Sequence, residues 1–197
     1  MSPPCRIRVT GGFVLLAAWF ALANGWRPLA TVLGAAAVHE LGHWIALRLL
    51  GAGVTGFYLG VLGAVLETDS GRLSYGGELA AVLAGPAANL LAALALTFLC
   101  GGRWPAAIGA NLVLCAFNLL PIRPLDGGRA LYLLAAWLRG PDAGERAALW
   151  LGGVTAAALA AGLGFVMWRS GGSLWLLPAL FACAYWGAAP WLAVARS

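Results

Sequence analysis

The chain of 197 residues contains two histidines, and both fall in one pentapeptide, His39-Glu40-Leu41-Gly42-His43. The pattern is H-E-x-x-H. On a helix, positions i and i+4 stand one turn apart on the same face, so both imidazoles can bind one metal ion. Glu40 sits beside the first of them, where it can exchange a proton with water at that metal. The competing reading is a chance match, or a histidine pair satisfied by hydrogen bonds inside a bundle. Two facts weigh against it: no histidine lies outside the motif, and the run around it is apolar. Ionisable groups in such a run default to function.

A catalytic zinc site takes three protein ligands and keeps a fourth position for water. Without a third histidine, the remaining ligand has to be a carboxylate or a thiolate. Cys5, Cys100, Cys115 and Cys183 form no C-x-x-C pair, and three of the four lie in apolar runs. They read as small buried hydrophobes. Among the acidic residues, Glu67, Asp69, Glu78, Asp142 and Glu145 occupy polar loops or turns and read as solvated charges or helix caps. Asp126 differs, because it follows Pro121 and Pro124 and precedes Gly127-Gly128. It can cap a helix over 128–139 or bind the metal, and ligation is the favoured reading.

These residues resemble the site-2 protease family of intramembrane metalloproteases. The resemblance rests on His39–His43 together with Asn118-Leu119-Leu120-Pro121-Ile122-Arg123-Pro124-Leu125-Asp126-Gly127, which matches the family's N-x-x-P…L-D-G element. Gly85-Pro86-Ala87-Ala88-Asn89 is similar to its G-P-x-x-N element. The resemblance covers roughly residues 28–140 and implies zinc held by His39, His43 and Asp126, with Glu40 as catalytic acid/base. It also implies that Asn118, and secondarily Asn89, hold substrate or the oxyanion. Asn24 and Asn111 are assigned plain structural hydrogen bonds. The small size and early H-E-x-x-H are similar to the branch that processes a pro-sigma factor during sporulation. A single catalytic domain over 1–197 is expected, with no PDZ or nucleotide-binding module.

The elements that must carry this site are membrane helices. Apolar residues make up 62 % of the chain and charged residues 10 %, against about 45–50 % and 25 % in soluble domains. The expected fold is an all-α polytopic membrane protein of about six spans: 11–26, 28–50, 78–101, 104–121, 145–168 and 172–194. Residues 51–77 are rich in glycine, β-branched and aromatic residues, which predicts a short membrane-associated β-hairpin-like segment after the second span. The Pro/Gly run 121–128 breaks the fourth helix. The first segment has a rival reading as a cleaved signal peptide, because Arg6 and Arg8 precede it and Ala21-Leu22-Ala23 ends its apolar run.

All 12 basic residues are arginines, spread singly between apolar runs. That argues against nucleic acid and for membrane flanks. With six spans, nine arginines fall on the side of the termini, so both termini are expected in the cytoplasm of a prokaryote. The expected partners are the lipid bilayer, a membrane-protein substrate and a membrane-bound regulator. The alternative is a non-proteolytic metal-binding transporter or scaffold. A transporter should place ionisable groups along a path across the membrane, whereas these cluster at one level.

Overall fold

The computed structural model describes residues 6–60, 63–68 and 73–169. The expected last span, 172–194, lies outside them. The chain divides into two compact units, one ending at Phe117 and the other beginning at Asn118.

The first unit opens with strand β1 (Arg6–Val9), which pairs in parallel with β2 (Val54–Gly60). β2 pairs antiparallel with β3 (Gly63–Thr68), with a bulge between Val54 and Gly56. The hairpin occupies the glycine- and aromatic-rich segment. A third strand joins the expected hairpin, while the described residues remain mostly helical. Residues 6–9, ahead of the first apolar run, pair with partners about 50 positions away. Thr10 fastens this sheet to the first helix: its N–H and its hydroxyl both donate to the Leu59 carbonyl, and Oγ1 accepts from the Phe13 amide. The hydroxyl thereby caps α1 (Gly11–Asn24).

Gly25, at φ 88°, joins α1 directly to α2 (Trp26–Leu49). This left-handed turn favours glycine, which carries no Cβ. α2 packs along α3 (Tyr75–Phe98), which is capped by the Ser74 hydroxyl at the Gly77 amide. The two helices run antiparallel, since His43 meets Ala81 while His39 and Ala35 meet Asn89. Their approach is close. A Cβ on Gly42 would lie 2.6 Å from the Ala88 Cβ and would also meet the Ala84 carbonyl. Leu47, Ala52 and Ala81 form a small core at the hairpin end. α4 (Pro105–Asn118) completes the helices of this unit, opening on a proline whose missing N–H costs nothing there.

In the second unit, α5 (Asp126–Arg139) packs on α6 (Pro141–Arg169), with Gly140 at φ 89° between them. The Pro/Gly run before α5 is ordered by its own burial: Ile122 and Leu125 pack against Ala156. Glycine is required at 127, where a Cβ would strike the Leu119 carbonyl, and at 128, where it would meet the Ile122 backbone.

Two helices, α3 and α6, are long and apolar enough to cross a membrane. Only these two of the six expected spans meet that criterion among the described residues. α1 and α4 are apolar but have 14 residues each, against about 20 needed to span. α2 has the length, yet it carries Arg27, His39, Glu40, His43 and Arg48. Large apolar side chains point outward along these helices, among them Leu91 at 66 % and Val154 at 63 % exposure. Water is a poor solvent for such faces.

Candidate metal centre

His39 and His43 lie one turn apart on α2, and their ring centroids are 4.7 Å apart. The Nε2 atoms face each other at 3.1 Å. Each ring is held from behind through Nδ1. His39 Nδ1 lies 2.7 Å from Asn89 Oδ1, and His43 Nδ1 lies 2.8 Å from the Ala81 carbonyl oxygen. Both partners on α3 are acceptors, so Nδ1 must donate in both rings. In the neutral imidazoles, Nε2 then carries the lone pair. The Nε2–Nε2 contact is therefore a meeting of two lone pairs rather than a hydrogen bond. Two such nitrogens fit a shared cation. Tetrahedral zinc with Zn–N bonds of about 2.0–2.1 Å separates two nitrogens by roughly 3.3 Å.

α3 is shaped to receive these rings. A Cβ at Gly85 would fall on the His43 imidazole. Pro86, next in sequence and fully buried, has no N–H to give the Val82 carbonyl. Within the Gly85–Asn89 element, glycine clears space for one histidine and asparagine holds the other.

Asn89 is 0 % exposed, and its amide is committed on both sides. Oδ1 receives His39, while Nδ2 donates to the Ala35 carbonyl at 2.9 Å and to Asn111 Oδ1 at 2.8 Å. Both of its N–H groups are used within the protein, and its oxygen faces the His39 ring. Asn111 on α4, assigned only a generic hydrogen bond by the sequence reading, is thus tied to the site. Glu40 is half-buried on α2, next to His39. Asn118 and Asp126 belong to the second unit. Asn118 closes α4, and Asp126 is the first residue of α5, with Leu125 rather than Asp126 at the cap position. One Asp126 carboxylate oxygen, Oδ2, is shielded from solvent.

A site-2 protease from Methanocaldococcus jannaschii superposes with a TM-score of 0.65, covering 92 % of this chain and 90 % of that one at 21 % identity. The chain has the site-2 protease fold. Two proteins provisionally named as zinc metalloproteases are similar to it in sequence. Mycobacterium tuberculosis Rip3 is 33 % identical over 145 residues, or 67 % of this chain, and Synechocystis sll0528 is 35 % identical over 103 residues, or 47 % of it. The chain spans 36 % of the length of Rip3 and 27 % of sll0528. No family model matches the sequence. Within this site-2 protease fold, the H-E-x-x-H helix and the Gly85–Asn89 helix are adjacent partners.

Proposed function

We propose that the chain is a zinc-dependent intramembrane protease that hydrolyses peptide bonds within or beside membrane-spanning segments of other proteins. The observation that carries the reading is the pair of Nε2 atoms on α2, 3.1 Å apart, with both Nδ1 atoms committed as donors. The names of Rip3 and sll0528 support metal-dependent proteolysis, and the shared fold supports a membrane setting.

His39, His43 and Asp126 hold the zinc, which when bound supplies Lewis acidity towards water and the scissile carbonyl. Glu40 takes the proton from the attacking water and delivers it to the leaving amine. The Asn118 amide binds the substrate backbone or the developing oxyanion. The substrate must be extended there, because a helix hides its carbonyls. β3 ends the strand order β1-β2-β3, and an extended segment can add to such a strand. The chain lies in a prokaryotic cytoplasmic membrane as a multi-pass protein with cytoplasmic termini. Its substrate is a membrane-tethered protein, with pro-sigma and transcription factors as the first classes to test.

The test compares new protein N-termini in membranes of bacteria carrying the native chain or Glu40→Gln. The reading expects termini that arise only with the native chain and map within or beside apolar segments. Identical termini in both strains contradict it and favour a non-proteolytic metal-binding protein.

A further inference from the structure

The hydrogen bonds behind His39 form a one-way chain. His39 Nδ1 donates to Asn89 Oδ1, Asn89 Nδ2 donates to Asn111 Oδ1, and Asn111 Nδ2 donates to the Ala107 carbonyl at 2.9 Å. An asparagine amide is nearly symmetric in shape, so shape alone does not decide which end faces a neighbour. A backbone carbonyl can only accept. Ala107 therefore fixes the orientation of Asn111, which turns Oδ1 towards Asn89. That acceptor, with the Ala35 carbonyl, turns Asn89 Nδ2 away from His39 and leaves Oδ1 to face the ring. The exposures are 5 % for His39, 0 % for Asn89 and 4 % for Asn111, so bulk water does not compete for these bonds.

We infer that Asn111, sharing the hold on Asn89 with the Ala35 carbonyl, is a positioning residue that helps set the tautomer of His39 and keeps its Nε2 lone pair available for metal. Asn111 reaches His39 through Asn89. His43 is set independently by the Ala81 carbonyl, so the relay acts on one ligand only. Outer partners of metal-binding histidines fix the ring and typically change metal affinity by about 10–100-fold when removed. The metal part of this inference rests on the proposed zinc site, but the tautomer part does not.

The chain's two histidines allow a direct readout. The full-length, metal-free protein in detergent is labelled with 15N-histidine, and its ring nitrogens are recorded where both imidazoles are neutral. The native chain is expected to show protonated Nδ1 in both rings. Asn111→Leu is expected to populate the other tautomer at His39, leave the His43 signals in place, and weaken zinc binding about tenfold in chelator competition. Unmoved His43 signals report that α2 and α3 remain packed. Asn111→Asp, which keeps an acceptor towards Asn89, is expected to retain the native His39 tautomer. A native His39 tautomer in Asn111→Leu overturns the inference, as does a changed tautomer in Asn111→Asp. A chain that binds no zinc yet shows the tautomer switch upholds the relay while refuting the zinc reading.

Discussion

The His43 imidazole occupies the space that a side chain at position 85 would need: a Cβ built on Gly85 falls on the ring. Small size at one position on α3 thus determines where the His43 ring on α2 can stand. Gly85→Ala is expected to push His43 off the Ala81 carbonyl and reduce zinc retention about tenfold or more, as removal of a ligand's outer partner does. Competition against a chromophoric chelator measures it. Retention equal to the native chain would show that the ring has another place to go.

Gly42 makes the complementary contact, against the Ala84 carbonyl and the Ala88 Cβ. A methyl group added there must separate α2 from α3. Gly42→Ala is expected to cost about 1–3 kcal/mol, the usual range for overpacking, read as a lowered unfolding midpoint in detergent.

Surface charge is expected to matter far less. Arg123 and Glu145 form an ion pair at 3.0 Å, but their side chains are 43 % and 50 % exposed. Such pairs contribute about 0–1 kcal/mol. Glu145→Gln should therefore leave the unfolding midpoint almost unchanged. Arg123 keeps its stacking on the Tyr132 ring, 5.4 Å away, in that variant.

The His39–His43 pair was legible because its geometry is local: one helical turn determines it. The G-P-x-x-N element was legible as a motif but not as a mechanism, because Gly85 and Asn89 act on residues of another helix. Asn111 carried no signal of its own, since its meaning comes from a partner 22 positions away. Strand β1 was missed for the same reason. Four residues ahead of an apolar run look like a membrane flank until β2, far along the chain, supplies their hydrogen bonds. The helix-breaking run 121–128 was readable because proline and glycine act on their own backbone. It ends as expected in a helix, whose first residue is Asp126.

A variant at Glu40 separates metal binding from chemistry in the proposed mechanism. Glu40→Gln keeps the size of the side chain and removes its basicity. It is expected to retain zinc and lose at least about 100-fold in peptide hydrolysis, the typical range for a general acid/base. Undiminished cleavage by that variant would assign the proton transfer to another group.

The central claim is the proposed zinc ligand set of His39, His43 and Asp126. Elemental mass spectrometry of the purified, detergent-solubilised chain tests it most directly, comparing the native protein with Asp126→Ala. The account predicts about one zinc per native chain, as a three-ligand catalytic site requires, and a clear loss in the variant. No metal in the native chain after zinc is supplied, or equal zinc in both proteins, would contradict it.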